Sequence, residues 1–207
     1  MYKRQTPLYN TPEKYLREFL DSFVNQTAPN GQLCIADASD AEHADVKRIA
    51  EEYQAKYQHI VYKKIENKGI AANTNAAAEL ASGEYLALAD HDDILAPHAM
   101  YTMGRAIRQL REAGEPDGFL YSDEALFTKK IEKPLVAHFK PDYAPDYLLC
   151  CNYICHLAVF RRELFEQVGG ERPECDGSQD HDLFLRLIEQ VGGAAHVPQV
   201  LYYWRVH

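Results

Sequence analysis

Between Gln32 and Ser122, apolar runs of strand length alternate with stretches of helical period, and three of the runs lead into an aspartate. Gln32–Asp37 (QLCIAD), His59–Ile65 (HIVYKKI), Glu84–Ala89 (EYLALA) and Gly118–Ser122 (GFLYS) read as strands. Ala41–Tyr57 reads as an amphipathic helix with a charged outer face. Ala71–Ala81 is Ala-rich and stops at Ser82-Gly83. Pro97–Ala113 is a helix with Pro near its start. This alternation predicts an α/β fold with a parallel sheet. Such sheets bind ligands beyond the carboxyl ends of their strands. Asp37, Asp90 and Asp123 are predicted at three such ends. One acid there could be a helix cap; three on one rim suggest a site.

The second half is less regular. Phe139-Lys140-Pro141-Asp142 and Ala144-Pro145-Asp146 are turn-like. His156–Arg161 and Val197–Trp204 read as strands and Ser178–Gln190 as a helix. No repeat, low-complexity tract or linker divides the 207 residues, so a single domain spanning 1–207 is expected.

The formal net charge of −9 offers no basic field to a nucleic-acid backbone. An acidic chain that binds a phosphate ester needs a cation at that point. Five cysteines without paired CxxC spacing argue against a disulfide framework or a structural zinc and suit a reducing, cytoplasmic compartment. The Cys150, Cys151 and Cys155 cluster reads as packing. No apolar run is long enough to span a bilayer, and no signal peptide is visible.

Asp90-His91-Asp92-Asp93 directly follows a buried strand. Carboxylates two apart on a turn can converge on one hard divalent cation. They can equally form a solvated acidic loop in which Asp93 caps the next helix. Asp180, in Gln179-Asp180-His181-Asp182, sits at a helix start. It could take a proton from an attacking hydroxyl or serve as a cap. His207 could be a further metal ligand and Trp204 a sugar platform; a lone histidine is more often structural or merely exposed.

Taken in order, these pieces resemble glycosyltransferase family 2, the inverting enzymes of GT-A fold, from about Pro7 to His207. Pro7-Leu8-Tyr9-Asn10 is similar to the family's PxYN opening, and Ser22 to Thr27 to its SxxxQT helix end. Asn67-Lys68-Gly69-Ile70 to Asn75 resembles NxGxxxxxN. Gly83-Glu84-Tyr85 leading to Asp90-His91-Asp92-Asp93 resembles GEY…DxDD. Gly177 to Leu183 resembles the acceptor-side ED motif, with Gln179 in place of Glu. Tyr203 to His207 resembles the (H/Y)WRxH ending of a polysaccharide-building branch.

The resemblance implies a Rossmann-like, mixed but mostly parallel sheet flanked by helices. It implies nucleotide contacts at Pro7, Tyr9, Asp37, Asn67 and Asp90. Mg²⁺ or Mn²⁺ would be held by Asp92 and His207, with Asp90 shared. Asp180 would be the general base, and Asp123, His156, Gln179 and Trp204 would contact acceptor or donor sugar. The implied donor is a UDP- or dTDP-sugar. The implied acceptor is a saccharide or lipid-linked saccharide of a growing surface polysaccharide, with peripheral association at the inner face of the membrane. Before Pro7, where the family's first strand belongs, the chain is polar (Met1 to Thr6). That strand is therefore expected to be truncated, and a C-terminal portion to be absent after the last motif.

The competing readings are an inactive nucleotide-sugar-binding module and a glycoside hydrolase using two carboxylates. A Rossmann dehydrogenase is disfavoured, because no GxGxxG follows the early strands.

Overall fold

The computed structural model describes residues 2–28 and 31–207, so Met1 lies outside the described residues. One sheet runs in the order β3-β2-β1-β4-β8-β6-β9-β5, with β7 paired to β6. Its strands are β1 (Tyr2–Leu8), β2 (Gly31–Asp37), β3 (Ile60–Lys64), β4 (Tyr85–Leu88), β5 (Ile94–Leu95), β6 (Phe119–Phe127), β7 (Val136–His138), β8 (Ala158–Arg161) and β9 (Ala195–Arg205). β1 to β4 are mutually parallel. β8 is antiparallel to both β4 and β6, which turns β6 and its partner β9 back into the direction of β1 to β4. The sheet is therefore mixed and mostly parallel, as expected.

Among the described residues seven α-helices cover it: α1 (Glu13–Val24), α2 (Ala44–Lys56), α3 (Ile70–Glu79), α4 (Ala99–Ala113), α5 (Pro145–Cys150), α6 (Arg162–Gln167) and α7 (Gln179–Val191). In α1, Leu16, Phe19, Leu20 and Phe23 are buried, the spacing of one apolar stripe. The continuous apolar run of β4 has a similar cause. Tyr85 and Ala87 pack into one core with α1, α2 and α4, while Leu86 and Leu88 face a second core with α6 and α7. A strand covered on both faces has no polar side to show.

Two expectations are corrected. The polar segment before Pro7 does form a strand: β1 pairs with β2 on one side and β4 on the other. Parallel pairing on both sides uses the main chain, so it does not require an apolar sequence. Second, β6 does not stop at Ser122 but runs to Phe127, held by β9 and β7, with register shifts on either side of Asp123.

Candidate active site

The carboxyl ends of β1, β2 and β4 lie on one edge of the sheet, since Leu8 is paired with Asp37 and Gln5 with Leu88. Beyond β4 the chain turns through Asp90 to Asp93 and returns as β5, which pairs antiparallel with β9 at Tyr202 and Tyr203. This pairing binds the acidic turn to the last strand. Tyr202 accepts a hydrogen bond from the Asp90 amide (2.9 Å) and donates its hydroxyl to Asp93 Oδ2 (2.7 Å). The Arg205 amide donates to Asp93 Oδ1 (2.7 Å), and its guanidinium reaches the Asp92 carbonyl and Glu18. His207 is thereby delivered to Asp92, Nε2 to Oδ2 2.6 Å.

A cavity of about 280 Å³ opens beside this turn. Pro7, Asp90, His156, Gln179, Asp180 and Trp204, all singled out from sequence, line it together. His156 stacks on Tyr202 with ring centroids 4.6 Å apart, and its Nε2 stands 3.3 Å from Asp90 Oδ2. Burial disfavours the imidazolium, but the charge of Asp90 outweighs it and raises the His156 pKa to about 9. Enclosure acts to raise Asp90, and the charges of His156 and His91 overcome it and hold the carboxyl below its usual range. Burial, reinforced by the nearby Asp90 charge, pushes Asp93 up to about 7.

Asp180 lies in the first turn of α7. Its Oδ1 accepts from the His181 amide (2.8 Å) and its Oδ2 from the Asn152 side-chain amide (2.7 Å). Asn152 Oδ1 in turn accepts from the Cys155 amide (3.2 Å), so its NH₂ end is the one left to face Asp180. Neither Ser178 nor Asp180 caps α7 with its side chain. Gln179 Oε1 accepts from the Gly177 amide.

Other expected contacts sit elsewhere. Asp37 is fully buried, and its carboxylate accepts from the Ser39 amide, the Tyr62 hydroxyl and Lys64. It has no exposed surface in this arrangement. Asp123 is not at a strand end. It is buried inside β6 and accepts from the Lys140 amide (2.9 Å) and from His196 Nε2 (2.8 Å), so it is withdrawn from sugar contact. Asn67 folds back on its own turn, its Oδ1 accepting from the Gly69 amide and the Asn73 side chain. Tyr9 is exposed at the rim, outside the cavity lining. Asp93 does not cap α4: it is buried under β9. Cys150 and Cys151 are exposed rather than packed, while Cys155 lines the cavity.

Two arrangements could hold a cation. Oxygen and nitrogen ligand atoms of Asp90, Asp93 and His156 lie within 4.8 Å of one another. Asp93, however, already uses both oxygens on Tyr202 and the Arg205 amide. Asp92 with His207 offers a carboxylate and an imidazole at the rim, with side chains 20% and 56% exposed. This O,N donor pair could hold a divalent cation, with water completing its shell.

Sequence reading missed three groups of the site: Asp93 as the latch of the turn, Asn152 as the partner of Asp180, and Glu171, a buried carboxyl that also lines the cavity.

A Rossmann-like mixed sheet with acids and a histidine gathered at the carboxyl edge of its parallel strands defines a nucleotide-binding type of α/β protein. The sequence profile of glycosyl transferase family 2 matches residues 6–169, and the chain belongs to that family. It is similar to the O-antigen biosynthesis protein RfbC of Myxococcus xanthus, 33% identical over 97% of this chain and 15% of that protein. An uncharacterized glycosyltransferase of Methanocaldococcus jannaschii is 39% identical over 87% of this chain and 62% of its own length. An uncharacterized protein of Sinorhizobium fredii, 36% identical, is matched over 96% of this chain but only 22% of its length, so the chain spans a minor part of several relatives. The crystal structure of S. aureus TarS 1-349 in complex with UDP-GlcNAc superposes with a TM-score of 0.78 at 17% identity, over 100% of this chain and 58% of that one. A mannosyltransferase from Pyrobaculum calidifontis in complex with GDP-Man and Mn²⁺ gives 0.71 at 20% identity, over 100% and 57%. At these identities the likeness shows the fold.

Proposed function

We propose that this chain transfers a sugar, with inversion, from a nucleoside diphosphate sugar to a saccharide acceptor in surface polysaccharide synthesis. The observation that carries this reading is the convergence of Asp90, His156, Asp180 and Trp204, drawn from four separate segments, on one cavity. In this reading Asp180 is the general base. It takes the proton of the acceptor hydroxyl as that oxygen attacks the anomeric carbon. The bond to the nucleoside diphosphate breaks in the same step, so no glycosyl-enzyme bond forms and configuration inverts. Asn152 holds the carboxylate of Asp180 in place for that transfer.

Asp92 and His207 would hold the divalent cation, which when bound supplies positive charge to the departing diphosphate. In this reading Pro7 and Asp90, both in the cavity lining, contact the nucleotide. Support for such a donor comes from the UDP-GlcNAc and GDP-Man complexes of the neighbouring folds. A second cavity of about 580 Å³, walled by Phe139, Tyr147, Tyr153 and Trp204, shares Cys155 and Trp204 with the first. Aromatic rings with apolar faces suit a saccharide, so the acceptor is placed there. Among the described residues no helix is long and apolar enough to cross a membrane.

Asp180→Asn tests the chemistry. Transfer in Mn²⁺ is expected to fall about 10³-fold, with nucleotide-sugar affinity retained. Near wild-type turnover in this variant would rule out Asp180 as the base. An inactive binding module would instead bind the nucleotide sugar and turn over none, even in the wild type. A hydrolase would release free sugar from a saccharide without nucleotide or metal.

A further inference from the structure

Among the described residues, three buried side-chain polar atoms have no hydrogen-bond partner: Thr6 Oγ1, His156 Nδ1 and Glu171 Oε2. Two of the three residues, His156 and Glu171, line the cavity that holds Asp180. An orphaned buried polar atom costs stability unless something else completes it. The reading above counts His156 among the converging residues and leaves Glu171 out.

Glu171 is 3% exposed. Its backbone is clamped to α3 by one side chain: Asn75 Nδ2 donates to the Glu171 carbonyl (2.8 Å), and the Glu171 amide donates to Asn75 Oδ1 (2.9 Å). The preceding Gly170 permits this approach. It has φ +72°, and a Cβ there would stand 2.6 Å from Asn75 Oδ1. Two hydrogen bonds and a glycine thus fix the backbone from which the carboxyl projects, and among the described residues no cation is paired with it. Burial, with the charges of Asp180 and Asp90 added, raises its pKa to about 8 against the pull of the Thr74 hydroxyl. The protonated carboxyl presents one donor and one acceptor. A sugar hydroxyl offers the complementary pair, whereas a diphosphate oxygen only accepts.

We propose that Glu171 is a binding residue of the donor pocket, hydrogen-bonding a hydroxyl of the sugar carried on the nucleotide. This rests on the donor reading above and adds to it a contact to the transferred sugar that does not involve the nucleotide or the metal pair at Asp92 and His207.

Calorimetry in Mn²⁺ would compare wild type, Glu171→Gln and Glu171→Leu. The probes are UDP-glucose, UDP-N-acetylglucosamine, dTDP-glucose and GDP-mannose, each set against its free nucleoside diphosphate. For the nucleotide sugar that wild type binds best, Glu171→Leu should weaken binding tenfold or more. The matching nucleoside diphosphate should bind within twofold of wild type. Glu171→Gln, which keeps a neutral donor and acceptor, should lose less than threefold. At pH 8 both variants should melt at a higher temperature than wild type without ligand, because neither has to take up a proton on folding to bury this side chain. Equal loss of sugar-nucleotide and free-nucleotide binding in Glu171→Leu would overturn the proposal, as would no loss at all. A lower melting temperature in both variants would make Glu171 a structural residue and overturn it too. If wild type binds the free nucleoside diphosphates but none of the sugars, the Glu171 inference fails alone. If it binds neither, the donor reading fails first.

Discussion

Glu171 shows at a single residue why part of this site is invisible in sequence. Gly169-Gly170-Glu171-Arg172-Pro173 has the composition of an exposed turn, and nothing local marks its carboxyl as buried. What fixes its backbone is Asn75, 96 positions away in the chain. Asp93 and Asn152 were missed for the same reason, since their partners arrive with β9 and α7. Residues whose meaning depends on neighbours along the chain were more legible. Asp90 follows its strand directly, and Asp180 starts its helix. A pH dependence follows from Glu171. Its folded pKa of about 8 lies above the ordinary glutamate value of about 4.3. Between those values the folded form keeps a proton that the unfolded chain has released, so stability falls as pH rises through the window. Glu171→Gln removes that dependence. The variant's advantage over wild type should therefore be small at pH 5 and reach on the order of 3 kcal/mol at pH 8, read from denaturant unfolding at the two values. A gain independent of pH would mean that Glu171 does not hold its proton. Asp92→Ala probes a different function. It should weaken Mn²⁺-dependent nucleotide binding tenfold or more, and an unchanged Mn²⁺ dependence would move the cation site to Asp90 and its neighbours.

Strands and helices were readable wherever a period of 2 or 3.6 reflects burial. α2, α3 and α4 fall close to the amphipathic, Ala-rich and Pro-initiated stretches that predict them. β1 was the instructive failure. Its place between β2 and β4 is secured by main-chain bonds on both edges, which the side-chain pattern does not report. β6 was read too short because Ser122-Asp123-Glu124 looks like a strand end. All three residues are buried, and their polar groups are met inside the fold by β8, β9 and the Lys140 segment. The junction of β4, α4, β6 and β8 offers a stability test at this scale. Asp117 accepts hydrogen bonds from Tyr85 (2.7 Å), Arg111 (2.5 Å) and Arg161 (2.5 Å). Burial alone would raise its pKa, and those three donors together hold it at about 2. The stabilisation is fully present above the unfolded value of about 3.9 and is lost as pH falls toward 2. Asp117→Asn should cost about 2 kcal/mol at pH 7, a figure discounted because both guanidiniums are partly solvated. The cost should shrink below pH 3. Urea midpoints of the two proteins at pH 7 and pH 3 give the comparison, and equal midpoints at pH 7 would remove the cluster from the stability of the fold.

At the scale of the molecule, β9 joins the two halves. It carries Trp204 into the cavity, anchors Asp93 through Tyr202 and Arg205, and sets His207 on Asp92. The rim is therefore assembled only when the first half of the sheet and the last strand are docked together, so ligand binding should be coupled to folding of the whole chain. A ligand that binds only the folded form stabilises it by RT ln(1 + [L]/Kd), about 2.7 kcal/mol at a hundredfold excess over Kd. For a domain of this size that corresponds to a rise in melting temperature of roughly 5–10 °C. Nucleotide sugar with Mn²⁺ should produce this rise in a single cooperative transition, and EDTA should abolish most of it. His207→Ala should leave the apo melting temperature within about 1 °C, since an exposed rim side chain contributes little to stability, yet should lose much of the metal-dependent rise. If His207→Ala keeps the full Mn²⁺ effect, the imidazole delivered by β9 is not a ligand, and the last strand serves the site only through Asp93 and Trp204.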